Sequence, residues 1–245
     1  MTSDTLYAQP LDTLVDFNFD EKVANVFPDM INRSVPGYAS IVAMTGILSA
    51  EFYQSDSNCY DLGCSLGAST LSMANAIDDD TLRIIAVDNS RAMLKKAQEL
   101  LLKSDPNNSN LQRIDFICDD INNIEIANAS VVVMNFTLQF IAPESRSGLL
   151  KKIYQGMKKG GILILSEKLN YSNADQQKLL IDMHHFFKKA NGYSDLEISQ
   201  KRQTLENVLL PETLEQHKIR LQQAGFLQME QWFQCFNFSS LIAVK

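Results

Sequence analysis

The heptapeptide Asp61-Leu62-Gly63-Cys64-Ser65-Leu66-Gly67 constrains this chain more than any other segment. It holds two of only 10 glycines. Glycine is needed where a backbone turns sharply or comes close to another group. Cys59 to Leu62, which leads into the heptapeptide, reads as a short strand, and Ala68 to Ile77 reads as a helix. The glycines therefore mark a strand-to-helix turn, which begins a unit in which the helix folds back over a sheet.

The same rhythm continues downstream. Leu82 to Val87 is a β-branched strand ending in Asp88-Asn89, and Ser90 is placed to cap a helix running to about Lys103. Gln112 to Cys118 is a strand ending in Asp119-Asp120. Ser130 to Asn135 is apolar enough for a strand buried on both faces of a parallel sheet. Glu144 to Lys158 reads as a helix stopped by Gly160-Gly161, and Ile162 to Glu167 as a strand. Strands alternating with helices predict an α/β fold with a Rossmann-like, doubly wound sheet. Val23 to Asn32 and Tyr38 to Gln54 add N-terminal helices before it. Asn173 to Asn191, Ser194 to Glu206 and Pro211 to Ala224 form a helical insertion, a cover over about 171–224. Phe226 to Phe236 and Asn237 to Val244 then read as a C-terminal strand pair. Residues 1–22 are polar and poorly periodic and read as a flexible acidic arm; residues 23–245 read as a single domain.

Composition narrows the function. Of 245 residues 45% are hydrophobic and 21% charged, enough for a core and too apolar for a disordered chain. No apolar run has the length of a membrane span, and the acidic start lacks the character of a signal peptide, so a cytoplasmic location is expected. The net charge of −7 argues against direct binding to a nucleic acid backbone. Most of that excess is local: the first 57 residues hold eight acids and two bases, Lys22 and Arg33. Cys59, Cys64, Cys118 and Cys235 form no C-x-x-C pair and have no His at ligand spacing, so no metal is expected. His184 and His185 are adjacent on a helix, hence about 100° apart, and cannot share a metal; a core or interface role fits them better. Phe136, Phe140, Trp232, Phe233 and Phe236 read as core.

The glycine loop admits three readings. A dinucleotide site needs G-x-G-x-x-G, and the third glycine is absent. A hydrolase elbow, G-x-S-x-G, would make Ser65 the nucleophile, but an elbow normally follows several strands, whereas this loop follows the first. An S-adenosyl-L-methionine loop, (D/E)-x-G-x-G-x-G, is filled by Asp61, Gly63, Ser65 and Gly67 with one Gly-to-Ser departure. Asp88 then stands where a carboxylate accepts two ribose hydroxyls. Asp120 and Ile121 stand where an adenine would lie, and Asn135 ends the fourth strand at the sheet's carboxyl edge. These strand ends favour the third reading and the class I methyltransferase type of sheet.

Three blocks narrow the likeness. Val26-Phe-Pro-Asp-Met-Ile-Asn-Arg-Ser-Val-Pro-Gly-Tyr38, Asp61-Leu-Gly-Cys-Ser-Leu-Gly-Ala68 and Leu196-Glu-Ile-Ser-Gln-Lys-Arg-Gln-Thr-Leu-Glu-Asn207 resemble the carboxy-S-adenosyl-L-methionine synthases, as do Asn135-Phe-Thr-Leu-Gln-Phe140 and Trp232-Phe-Gln-Cys-Phe-Asn-Phe238. The resemblance covers nearly the whole chain from about residue 20. It implies a transferase that converts S-adenosyl-L-methionine to carboxy-S-adenosyl-L-methionine with prephenate as carboxyl donor, releasing phenylpyruvate and water. The implied route deprotonates the sulfonium methyl to an ylide, which captures carbon dioxide from prephenate. A downstream tRNA carboxymethyltransferase would use the product to modify wobble uridine. The resemblance implies cofactor contacts at Tyr38, Gly63, Cys64, Ser65, Asp88, Asn89, Asp120, Ile121 and Asn135. It implies that Arg202 holds the new carboxylate, and it implies a homodimer. Without the resemblance, Arg202 reads as a surface partner of Glu206, four residues on. The competing functions are an ordinary small-molecule methyltransferase and a sensor that binds the cofactor without turnover.

Overall fold

The computed structural model describes residues 2–11, 13, 15–104 and 110–245. Seven strands form one sheet in the order β3-β2-β1-β4-β5-β7-β6. They are β1 (Asn58–Leu62), β2 (Arg83–Asp88), β3 (Ile114–Cys118), β4 (Ala129–Asn135), β5 (Met157–Lys168), β6 (Gln228–Cys235) and β7 (Phe238–Val244). The first five run parallel, and β7 is antiparallel to both β5 and β6. The order reverses at β1, which pairs with β2 on one side and β4 on the other. Open α/β sheets bind ligands at such a switch point, at the carboxyl ends of the strands.

Side-chain alternation builds a core on each face. In β4, Val132 and Met134 join one buried cluster while Val131 and Val133 join the other. That is why the segment reads as continuously apolar. The helices are α1 (Glu21–Ser34), α2 (Tyr38–Phe52), α3 (Ala68–Ala76), α4 (Arg91–Ser104), α5 (Pro143–Gly156), α6 (Ala174–Ala190), α7 (Asp195–Leu205) and α8 (Leu214–Ala224). Their starts follow capping chemistry. Asp20 caps α1, the Ser90 hydroxyl accepts from the Met93 amide at 3.2 Å in α4, and Ser194 with Glu197 forms a capping box on α7.

One expectation is corrected. Gly160-Gly161 does not stop α5, which ends at Gly156 against the Ile126 carbonyl, where a Cβ would lie 2.0 Å from the oxygen. The pair lies inside β5, where the register with β4 jumps from Met157↔Ala129 to Ile162↔Val131. The glycines thus serve a bulge. The described part of the arm is hydrogen-bonded to α7. The Gln200 side chain on α7 accepts from the Leu11 amide at 2.8 Å and donates to the Tyr7 and Gln9 carbonyls at 2.9 Å. Asp4 is 2% exposed. Asp4 accepts from the Tyr193 hydroxyl and Asp16 from the Asn207 side chain at 3.1 Å, partners that composition alone does not reveal. Among the described residues no single helix is long and apolar enough to cross a membrane. The pair α1 and α2 passes that test only when joined across a 97° bend, and the buried face of α1 packs into the domain.

Candidate active site

A cavity of about 750 Å³ opens at the carboxyl edge of β1, β2 and β4. Gly63 takes φ +82°, and a Cβ there would lie 2.3 Å from Thr137 Oγ1. Ser65 keeps a left-handed φ of +51°, the backbone state for which a glycine would be the usual choice. The turn is held by its own amides: Gly63 and Cys64 donate to the Val87 carbonyl, at 2.8 and 2.9 Å. The Ser65 amide donates to Asp88 Oδ2 at 2.9 Å, and the Ser90 amide to Oδ1 at 2.9 Å. Burial pushes the Asp88 carboxyl upward, against these two hydrogen bonds. Each carboxylate oxygen has a further lone pair. Asp61 lies beneath the loop and accepts from Thr70 Oγ1 at 2.6 Å; burial pushes it up to about 6. Burial, seconded by the Asp61 charge, raises the Tyr38 phenol.

The other strand ends complete this half. Asp120 Oδ1 accepts from the Asn122 amide and side chain at 2.8 and 2.9 Å, and Ile121 is buried beside it. Asn135 donates to Ser69 Oγ at 2.9 Å and Thr45 Oγ1 at 3.2 Å and accepts from Ser166 Oγ at 2.6 Å. Its amide is thereby fixed in one orientation. Phe136 follows with φ +61°, a strained state that turns the chain off the strand.

Of the expected contacts, Tyr38, Gly63, Cys64, Ser65, Asp88, Asn89, Asp120, Ile121 and Asn135 all line this one cavity. Arg202 is not brought in with them. It is exposed in the last turn of α7, close enough to Lys168 and His185 to lower both of their proton affinities. It makes no ion pair with Glu206 among the described residues. Its neighbour Lys201 lines the cavity instead.

The sequence reading missed three features. Phe136 is buried in a core cluster as expected but lines the cavity as well, as do Phe140 and, from the arm, Phe17 and Phe19. The Thr45, Ser69 and Ser166 hydroxyls around Asn135 gave no spacing signal. Lys168, Lys188 and Lys201 also face the cavity. Lys168 ends β5, and strand ends were the signal that found Asp88 and Asn135. His184 is buried as expected, its Nε2–H donating to the Ser34 carbonyl at 2.7 Å, and it too lines the cavity. Among the described residues no group of three or more His, Cys, Asp or Glu is placed to hold a metal.

These residues fit an adenosyl sulfonium ligand. Asp88 offers acceptors to a diol, Ile121 an apolar wall to a base, and the turn at Gly63 leaves backbone where a side chain would intrude. Comparison with known proteins agrees. Residues 60–161 match the model of a methyltransferase domain. Among solved structures, an O-methyltransferase family protein from Burkholderia thailandensis superposes with TM-score 0.64 at 17% identity, over 92% of this chain and 60% of its own. Human N-acetylserotonin methyltransferase, solved with S-adenosylmethionine, gives 0.59 at 18%, over 92% and 55%. The chain thus spans about three-fifths of those longer proteins, and the likeness is one of fold. Curated relatives are closer. The carboxy-S-adenosyl-L-methionine synthase of Geobacter sp. (strain M21) is 57% identical over 99% of this chain and 98% of its own length. That of Pasteurella multocida (strain Pm70) is 54% identical over the full length of both. A methyltransferase-type sheet, a cavity lined by the matching strand ends and full-length identity of this order place the chain among the enzymes of the carboxy-S-adenosyl-L-methionine synthase family.

Proposed function

We propose that the enzyme takes its carboxyl group from prephenate and supplies the product to a tRNA carboxymethyltransferase that builds 5-oxyacetyluridine at wobble positions. The reaction balances. One proton leaves the sulfonium methyl, prephenate loses carbon dioxide and its ring hydroxyl, and the proton and hydroxide leave as water beside phenylpyruvate. The carbon dioxide ends on the former methyl carbon. A sulfonium supplies the acidity that this proton loss requires.

The chain's own residues bind and orient. Asp88 and Asn89 take the ribose and adenine end, Asp120 and Ile121 the base, and Tyr38 and Asn135 the end toward the sulfur. Gly63, Cys64 and Ser65 form the turn beneath. Arg202 has no hydrogen bond or ion pair among the described residues, so its guanidinium is free to grip the new carboxylate two-pronged from the rim. Pairing into a homodimer would use α6, whose Leu179, Met183 and Phe186 stand 59%, 36% and 67% exposed along one face. Since its product is a small molecule, the enzyme has no need to grip RNA, in keeping with the net charge of −7.

The observation that carries this reading is the joining of family-matching strand ends in a cavity whose far end is cationic. It is tested by adding prephenate to enzyme with and without S-adenosyl-L-methionine and following phenylpyruvate. Release that depends on S-adenosyl-L-methionine supports the reading. An ordinary methyltransferase would leave prephenate intact.

A further inference from the structure

The end of the cavity remote from Asp88 gathers lysines from three elements. Lys168 ends β5, Lys188 lies in the last turn of α6 and Lys201 on α7. Their separation in sequence excludes a charged helix face as the explanation. Lys188 and Lys201 are 7% and 6% exposed, so they do not reach solvent along their stems. They lie near enough to oppose one another's charge: Lys201 and Lys168 both act against the charged form of Lys188.

Counter-charge is scarce. Lys201 Nζ lies 3.9 Å from Asp4 Oδ2 and 3.1 Å from Ser34 Oγ. That Asp4 oxygen also accepts from the Tyr193 hydroxyl. Lys168 and Lys188 form no ion pair or side-chain hydrogen bond among the described residues; Lys168 Nζ stands 6.0 Å over the Phe238 ring. Buried ammonium groups without partners destabilise a fold, so one that assembles them serves something other than its own stability. Between this end and the Asp88 end the walls are aromatic. Tyr38 and Phe136 have centroids 6.5 Å apart, and Phe136 and Phe238 6.0 Å.

We propose that Lys168, Lys188 and Lys201 form the binding site for the carboxylates of the carboxyl donor, which lies with its ring against Tyr38, Phe136 and Phe238. The assignment rests on the reading above, in which the donor is the dianion prephenate. A dianion supplies the counter-charge the cluster lacks. Lysine suits the task because each ammonium is a compact charge with three donors that can follow a changing ligand. The chemistry also gives the site a release step. Prephenate has two carboxylates and phenylpyruvate one, so decarboxylation removes half the anionic hold as the reaction completes.

The test is calorimetry with prephenate titrated into the full-length enzyme holding S-adenosylhomocysteine, which lacks the reacting methyl. The proteins are wild type, Lys168→Met, Lys188→Met and Lys188→Arg. Methionine removes the charge and keeps an apolar stem, and each variant's unfolding temperature is recorded. The expected result is prephenate binding weakened at least about tenfold in either methionine variant. S-adenosylhomocysteine affinity should stay within about threefold of wild type, with Lys188→Arg recovering most of the prephenate affinity. Phenylpyruvate should bind wild type more weakly than prephenate does. Prephenate binding unchanged in both methionine variants overturns the inference and leaves the prephenate reading standing. Wild-type enzyme that binds no prephenate overturns both. Binding that depends on the lysines without any carboxylated product on adding S-adenosyl-L-methionine overturns the donor reading alone.

Discussion

The Ser65 amide donates to Asp88 Oδ2 at 2.9 Å, so the end of the second strand holds the glycine loop in shape while leaving its carboxylate on the cavity wall. One side chain thus both fixes the turn and, in the proposed binding mode, takes the ribose. Asp88→Asn keeps the shape but removes the charge that strengthens both sets of hydrogen bonds. Charge-assisted bonds are worth about 1.5–3 kcal/mol each, so S-adenosyl-L-methionine affinity should fall roughly 10- to 100-fold. Calorimetry checks this, and a change below threefold would place the ribose elsewhere.

Arg202 and Lys201 are adjacent on α7 yet face different surroundings, Lys201 buried in the cavity and Arg202 exposed. Arg202→Ala should lose affinity for carboxy-S-adenosyl-L-methionine while keeping that for S-adenosyl-L-methionine. Equal loss of both in calorimetry would remove Arg202 from the carboxylate site.

One side-chain amide holds three backbone groups of the arm. Gln200 makes three hydrogen bonds to the backbone of Tyr7, Gln9 and Leu11. Gln200→Ala should loosen residues 7–11 at a cost of about 1–2 kcal/mol in stability. Faster amide exchange confined to the arm and the start of α7 is the expected signature. Unchanged exchange at Leu11 would show that other contacts hold the arm.

Lys188 makes stability depend on pH with a definite sign. Burial first, then the charges of Lys201 and Lys168, lower it to about 7, opposed by Asp4. His184, held by burial at about 2, adds no charge of its own near neutrality. In the unfolded chain a lysine keeps its proton to about pH 10.4, so between the two values the unfolded state binds more protons and stability rises with pH. The penalty for burying the ammonium is complete below about pH 7. Lys188→Met removes it, so the variant should be more stable than wild type by on the order of 1–3 kcal/mol at pH 6, with the gap closing toward pH 10. Denaturant unfolding of both proteins across that range measures the gap. A gap constant with pH would mean that Lys188 is not titrating in the fold. The same deprotonation should lower kcat/KM for prephenate above neutral pH, and Lys168 and Lys201, each lowered by burial to about 8, should extend that fall.

Phe186, 67% exposed on α6, tests the pairing of subunits. Phe186→Asp should convert a dimer to a monomer in light scattering. A wild-type monomer at working concentrations would show that the subunits do not pair.

Much of the fold was legible because strand and helix periods differ and the strands end in polar pairs. The β4 run and the Asp88-Asn89 end needed no tertiary information. Gly160-Gly161 misled because a glycine pair after a helix looks like a stop, and only pairing with β4 shows the bulge. The nine residues expected as contacts, all of which line the cavity, were legible in strand ends and family blocks. The lysine cluster was not, because Lys168, Lys188 and Lys201 come together only when α6 and α7 fold over the sheet. Arg202 was legible as a residue type in a matching block, but its side of α7 was not. Phe17 and Phe19 lie in a stretch whose polar, poorly periodic sequence gives no sign that it lines the cavity.

An enzyme that adds a carboxyl group is recognised by the mass of its product. Purified enzyme is incubated with S-adenosyl-L-methionine and prephenate, and the nucleoside products are resolved by mass spectrometry. The expected result is a species heavier than S-adenosyl-L-methionine by the mass of carbon dioxide, formed only with prephenate and in equal amount to phenylpyruvate. Accumulation of S-adenosylhomocysteine, with prephenate untouched, would contradict it.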